Sequence, residues 1–316
     1  MKTVLVTGSS GWLGRHLVPL LRARGDRTLG FDAAPSAWTD VVGSVADRAA
    51  IEALFANHDI GGVIHAAALH QPDIARYPQQ AFVDVNVSGT LALLEAAAQR
   101  GTPFVFTSTT SLMISQTVRD ERAGEATWLD EAAGPLEPRN IYGVTKLAAE
   151  GLCRQHHLTR GLPCIVLRTA RFFPEDDDTL DALSGPNLKA NELLHRRATV
   201  EDMARAHLTA LDAAPQVGFG LYLVSAPTPF ARSDAAALKA DAAAVIARLF
   251  PDAASLYAAR GWRLPAAIGR VYDGSRIERA LGFAYETRFA DVLAALWAGR
   301  APPPAHDAGY ASPLLP

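Results

Sequence analysis

Val4-Leu5-Val6-Thr7-Gly8-Ser9-Ser10-Gly11-Trp12-Leu13-Gly14 sets the architecture of the chain. An apolar run breaks into a glycine loop. Leu13, Leu17, Leu20 and Leu21 then repeat at helical spacing until Gly25, so strand, loop and helix follow in that order. In this reading Gly8 makes a tight turn, Gly11 lets the backbone approach a pyrophosphate, and Gly14 lets the helix pack closely on the sheet. The amides from Ser10 to Leu13, at the positive end of the helix, then face a diphosphate. Spaced glycines also occur in ordinary strand-to-helix turns, so the rest of the chain must decide.

Composition sets the frame. The 316 residues can bury a substantial core, and 49% hydrophobic with 20% charged residues is the balance of a globular protein. A formal charge of −3 gives no electrostatic case for nucleic acid or an anionic membrane. No uninterrupted apolar run approaches the ~18 residues of a membrane span. The first strand follows Met1-Lys2-Thr3 directly, leaving no room for a signal peptide. Cys153 and Cys164 lack a metal or redox spacing, and the adjacent His156 and His157 face different ways on a helix. A reduced, cytoplasmic, metal-free protein is the expectation.

Downstream of the loop, strands and helices alternate. A strand Arg27 to Phe31 ends at Asp32, 18 residues beyond Gly14, where a dinucleotide fold places the acid that holds the adenosine ribose. A carboxylate there repels a 2′-phosphate, favouring NAD over NADP. A helix follows from about Asp47 to Asn57, then a buried strand Gly62-Val63-Ile64-His65 running into Ala66-Ala67-Ala68, whose small side chains leave space for a flat ligand. A long amphipathic helix from about Gln79 to Arg100 carries Asn86 at mid-helix, where Asn has poor propensity. Strand Pro103 to Ser108 ends in the hydroxyl cluster Ser108-Thr109-Thr110-Ser111, and residues 111–138 read as a surface loop over the cleft. A helix then begins at Asn140 and runs to about Arg160, with strand Cys164 to Leu167 after it. The fold class is therefore α/β, a doubly wound parallel sheet of Rossmann type, with ligands at the strands' carboxyl ends. Residues 1–173 form the nucleotide-binding domain with the catalytic helix. Residues 174–301 form a smaller, mostly C-terminal substrate lobe, with about 200–225 returning to the sheet. Glu175-Asp176-Asp177-Asp178 and Gly185-Pro186-Asn187 read as loops, Thr199 as the cap of a helix Val200 to Leu211, and 302–316 as a disordered or loosely docked tail.

Tyr142 and Lys146 lie one helical turn apart on one face. A phenol with an ordinary pKa near ~10 exchanges protons poorly at neutral pH, and a neighbouring ammonium lowers that barrier by stabilising the phenolate. A hydroxyl from Thr109 fixes the substrate oxygen, and Lys146 also binds the nicotinamide ribose. Such a set suits hydride transfer between a secondary alcohol and a ketone.

With these stretches in place, the sequence resembles the extended short-chain dehydrogenase/reductase family, the group of NAD-dependent sugar epimerases and dehydratases. The resemblance rests on Thr7 to Gly14, Asp32, His65 to Ala68, Asn86-Val87-Ser88-Gly89-Thr90, Ser108-Thr109 and Tyr142-Gly143-Val144-Thr145-Lys146. It implies NAD as cofactor, Tyr142 as acid/base, Lys146 as its tuning partner and Thr109 as the positioning hydroxyl, with Thr110 or Ser108 as alternatives to Thr109. It implies that Asn86, grouped with the catalytic residues, holds the helix and the cofactor-side geometry. The expected cofactor contacts are Gly8, Ser10, Gly11, Trp12, Leu13, Gly14, Asp32, Ser44, Val45, His65, Ala66, Ala67, Tyr142, Lys146 and Thr169. The expected substrate contacts are His70, Thr109, Thr110 and Arg171.

Departures bear on specificity. Thr110 and Ser111 stand where dehydratases carry Asp-Glu, and Ser44-Val45 where many relatives have an acid on adenine. Arg171 stands where epimerases commonly have an Asn, which suggests a carboxylate or phosphate on the substrate; a salt bridge to the Glu175–Asp178 run is the alternative. Phe172, Phe173 and Phe230 serve as pocket lining or as core. The leading reading is an NAD-dependent oxidoreductase acting on a polar, sugar-like and acidic small molecule. A sugar epimerase with the same triad is the alternative, and a non-catalytic dinucleotide sensor the remote one. The resemblance implies a homodimer through the long helix and the Tyr-bearing helix; Leu91, Leu94, Ala148, Ala149 and Leu152 suit this and equally suit packing on the sheet.

Overall fold

The computed structural model describes residues 3–116, 118, 124–176 and 183–313. Its seven-stranded sheet comprises β1 (Thr3–Thr7), β2 (Arg27–Asp32), β3 (Val41–Val42), β4 (Ile60–His65), β5 (Phe104–Thr109), β7 (Cys164–Thr169) and β8 (Phe219–Val224), in the order β3-β2-β1-β4-β5-β7-β8. Every pairing in it is parallel. Strand order reverses between β1 and β4, which places a ligand crevice at their carboxyl ends.

Alternation along the strands builds two core layers. In β1, Val4 and Val6 pack on one face with α1 (Gly14–Arg24) and α6 (Val200–Val217), while Leu5 packs on the other. That second face takes α2 (Arg48–Asn57), α3 (Gln79–Arg100) and α4 (Ile141–Arg160). Asp47, Asn140 and Thr199 cap α2, α4 and α6 by accepting from Ala50, Gly143 and Asp202 amides. Helix α3 is long and apolar enough to cross a membrane by length and composition alone. Here Phe82, Leu93, Leu94 and Ala97 are buried under the sheet.

Backbone contact decides the glycine loop. Gly8 has φ +77°, and a Cβ on it would come within 2.6 Å of the Ala67 nitrogen. A Cβ on Gly14 would lie 2.1 Å from the Gly8 carbonyl oxygen. The two glycines therefore let β1, α1 and the segment after β4 meet backbone to backbone.

The second lobe contains α5 (Gly185–Leu193), α7 (Ala235–Leu249), α8 (Ala253–Ala258), α9 (Ser275–Leu281) and α10 (Phe289–Trp297). Gly185-Pro186-Asn187 is thus the first turn of a helix, with Pro where its missing N–H costs nothing, and not a loop. Residues 111–138 are not loop throughout either: β6 (Thr127–Leu129) pairs in parallel with β9 (Arg270–Tyr272), tying this stretch to the second lobe. Helix α6 and strand β8 return to the main sheet. Residues 302–313 are docked on the domain, with Asp307 N donating to Pro174 O at 2.9 Å and Tyr310 packed on Trp12, in place of the expected loose tail. Of the acidic run, Asp177 and Asp178 lie outside the described residues. Leu94 and Ala149 are spent in the core, whereas Ala148 is exposed and Leu91 and Leu152 half-buried.

Three buried histidines are held neutral. Burial pushes His65 and His195 down to about 3 and His207 down to about 4, from an ordinary value of 6.5. The unfolded chain takes up these protons as pH falls below that ordinary value and the folded chain does not. Stability held in full above pH ~6.5 is therefore lost on acidification, at up to ~1.4 kcal/mol per pH unit for each histidine. Denaturant unfolding between pH 7 and 5 should show that loss, and His207→Gln should flatten the slope by one histidine's share.

Candidate active site

A cleft runs along the carboxyl ends of β1, β2 and β4 and reaches α4. Of the expected cofactor contacts, Gly8, Gly11, Trp12, Leu13, Asp32, Ser44, Val45, Ala66, Ala67, Tyr142, Lys146 and Thr169 line it. A Cβ on Gly11 would meet only the Gly8 oxygen, at 3.3 Å, so the protein's own packing places little demand on that glycine. Its bare backbone and the N-terminus of α1 face the cleft, as a diphosphate requires. Asp32 accepts from Ser10 N and Ala34 N, each at 2.9 Å, which fixes the carboxylate at the end of β2. Burial raises its pKa, opposed by those amides and by Ala33. These residues fit a dinucleotide: a glycine cradle, a ribose-reaching acid and the small-residue wall Ala66-Ala67-Ala68.

Three expected contacts have other work, and Asn86 serves geometry, not ligand contact. The Ser10 amide is taken by Asp32 and its hydroxyl donates to Ala34 O at 2.6 Å, so neither is presented to a diphosphate. Gly14 is buried beneath the loop. His65, fully buried, is a strut rather than a cofactor contact. Thr90 Oγ1 donates to Asn86 O at 2.7 Å, so His65 Nε2 donates to Thr90 (2.9 Å) and Nδ1 accepts from Thr7 (2.7 Å). Asn86 touches neither cavity. It exchanges two 2.9 Å hydrogen bonds with the Leu69 backbone and donates to Thr145 Oγ1 at 3.0 Å. A π-turn, Asp84–Ser88, carries it, which explains an Asn in mid-helix: the widened turn aims its amide at the β4 loop and at α4.

Tyr142 and Lys146 project from the first two turns of α4. The Lys146 ammonium donates to Thr107 O at 2.7 Å and sits 4.7 Å from the Phe106 ring centroid. Burial lowers its pKa to about 7, against the field of Glu150. Burial pushes the Tyr142 phenol up to about 12, opposed by a hydrogen bond with Thr109. Thr109 ends β5, and its oxygen also accepts from Ser111 N at 3.1 Å. Beneath the pair, Arg168 grips Glu150 with bonds of 3.0 and 2.8 Å, and Ser108 donates to Glu150 at 2.6 Å. Ser108 is thereby committed to Glu150, which leaves Thr109 as the hydroxyl beside Tyr142.

A second cavity opens from the same place. Both cavities share Tyr142, Thr169, His70, Phe172 and Phe173. The second is also lined by Thr109, Thr110, Arg171, Arg197, Glu175 and Asp176. A backbone bridge sets Arg171 beside Arg197. Arg171, Arg196 and Arg197 each lie 2.8 Å from Glu192, a residue that no local motif marks. Burial works to raise the Glu192 pKa, but Arg197, Arg196 and Arg171 hold it well below the usual carboxylate range. Phe230 is core, while Phe172 and Phe173 stack at 4.5 Å between the cavities. Ser312 and Pro313, from the C-terminal segment, also line the first cleft; no local motif marks them.

Comparison with known proteins agrees with this arrangement. The profile of the NAD dependent epimerase/dehydratase family matches residues 4–182. A UDP-glucose 4-epimerase of Rhizobium meliloti (strain 1021) is 30% identical over 52% of this chain and 50% of its own length. The chain spans about half the length of the first such curated relatives it matches. An L-arabinose 1-dehydrogenase (NAD(P)(+)) of Haloferax volcanii is 31% identical over 56% of this chain and 70% of its own length. A short-chain dehydrogenase/reductase superfamily protein from Agrobacterium tumefaciens, solved with bound NAD, superposes with TM-score 0.66 at 24% identity, covering 94% of this chain and 96% of that one. The glycine cradle, Asp32 and the Tyr142–Lys146 pair thus stand within the matched region, and the chain belongs to the NAD-dependent epimerase/dehydratase family.

Proposed function

We propose that this chain transfers a hydride between NAD and a secondary alcohol or ketone of a polar, sugar-like small molecule that carries an acidic group. The observation that carries the reading is the meeting of two cavities at Tyr142, one lined by the cradle and Asp32, the other by Thr109, Arg171 and Arg197. NAD supplies the hydride acceptor when bound. Tyr142 takes the proton of the substrate hydroxyl in oxidation and returns it in reduction. Lys146, pinned by Thr107 O, is the cation that would favour a phenolate one turn away, against the burial that pushes Tyr142 up, and Thr109, which hydrogen-bonds the phenol, holds the substrate oxygen there. Phe172 and Phe173 supply an apolar floor.

The acidic group is suggested by the lining. Arg171 and Arg197 both reach the second cavity, where a planar guanidinium fork suits a carboxylate or phosphate. Glu175 and Asp176 on the same lining offer acceptors for sugar hydroxyls. The dehydrogenase relative supports net oxidation; the epimerase relatives support a second reading, in which NAD is reoxidised within each turnover.

Incubation with NAD and, in parallel, sugar acids, free sugars and nucleotide sugars separates these. A sugar acid should give net reduced nicotinamide, read by its absorbance. An isomerised product without net reduction would establish the epimerase reading, and preference for a nucleotide sugar would refute the role given to Arg171. Arg171→Ala should raise KM for the acid by ~10-fold or more, the scale of a lost charge-assisted pair. Tyr142→Phe should lower kcat by ~10²–10⁴-fold, the range of general acid–base catalysis. Both variants should still bind NAD. Full activity in Tyr142→Phe would overturn the acid/base assignment.

A further inference from the structure

The C-terminal segment does something its composition does not announce. Gly185 leaves room for His306, whose ring carbon lies 2.2 Å from where a Cβ would stand, and Asp307 N bonds to Pro174 O at 2.9 Å. The chain then crosses to the glycine loop. The Tyr310 ring meets Trp12 edge to face at 5.2 Å, and the Arg15 guanidinium lies 5.6 Å from the Tyr310 centroid. Two residues on, Ser312 Oγ and His70 Nε2 share a hydrogen bond of 2.9 Å. Ser312 and Pro313 line the first cleft.

From these contacts we infer that residues 306–313 are a strap that completes the cofactor site and retains the bound dinucleotide. The inference rests on the reading of this cleft as the cofactor site. The cleft runs from Asp32, Ser44 and Val45, past Gly11 and Trp12, to Tyr142, Lys146 and Thr169, and the strap adds Ser312 and Pro313 to its lining. The strap's two anchors, Tyr310 on Trp12 and Ser312 on His70, stand over different parts of that length. The loop anchor is also chemically incomplete. The Trp12 indole N–H is buried without a hydrogen-bond partner, while the Tyr310 hydroxyl has Ser312 and the Trp12 backbone beside it. A dinucleotide diphosphate on the neighbouring helix N-terminus supplies the acceptor that the indole needs. Loading and release of the dinucleotide then require the strap to lift, so exchange is slow relative to an open cleft.

Stopped-flow release of NADH, followed by its fluorescence, tests this. Ending the chain after Pro304 should speed dissociation ~10-fold or more, since loss of a retaining contact acts mainly on the off-rate. Tyr310→Ala and Ser312→Ala, which leave the rest of the strap in place, should each speed it by less. Tyr310→Phe, which keeps the ring on Trp12, should release more slowly than Tyr310→Ala. Unchanged rates in the truncated chain and the two alanine variants would overturn the inference. Slower release or tighter binding after truncation would also overturn it, by placing the strap in the cofactor's own space. Failure of the wild-type chain to bind NADH would instead remove the cofactor reading, and the strap's role with it.

Discussion

Backbone packed directly on backbone at the end of β1 is the constraint on which this molecule depends. Without side chains at Gly8 and Gly14, the loop lies against Ala66-Ala67 and the first turn of α1 lies against the Gly8 carbonyl. Any larger residue would push α1 away from the sheet and the two strands at the reversal point apart, at a cost of ~1–3 kcal/mol or more for a forced overlap. Because the contact holds, the positive end of α1, the Asp32 carboxylate and the Ala66–Ala68 wall share one crevice. Ser10 links them: its amide holds Asp32 and its hydroxyl the backbone beyond it.

The catalytic helix is fixed by a second set of contacts, all polar and all buried. Glu150 joins it to β7 through Arg168 and to β5 through Ser108, Thr145 joins it to Asn86, and Lys146 reaches Thr107. A buried ion pair adds little net stability, because desolvation cancels most of the attraction, but removing one partner strands the other. Its effect here is geometric: α4 has one allowed rotation and depth, and that setting directs Tyr142 toward Thr109 and the seam between the cavities. His65, between Thr7 and Thr90, performs the same service on the cofactor side.

Much of this was legible in the sequence because its signals are local. Strand alternation, helical spacing, the glycine loop, an acid at a strand's end and a Tyr/Lys pair one turn apart each need only a short window, and together they gave the α/β order and the residues around Tyr142. What stayed hidden depends on distant partners. Ser10 and His65 lie in the stretches that suggested ligand contact, yet their polar groups are used by Asp32 and Thr90. Glu192 is one acid among many until the Arg171–Arg197 bridge gathers three guanidiniums around it. The tail reads as linker because Pro and Ala dominate it, and its anchors are two isolated side chains whose partners, Trp12 and His70, are far away in sequence.

The claim that joins fold to function is that this crevice is a dinucleotide site whose adenosine end is read by Asp32. Equilibrium titration of the chain with NADH and with NADPH, followed by fluorescence, measures it directly. NADH should bind, and the extra 2′-phosphate should weaken binding by ~10-fold or more, ~1.4 kcal/mol of repulsion from a fixed carboxylate. The difference should shrink in Asp32→Asn. Equal affinity for the two, or tighter binding of NADPH, would contradict it.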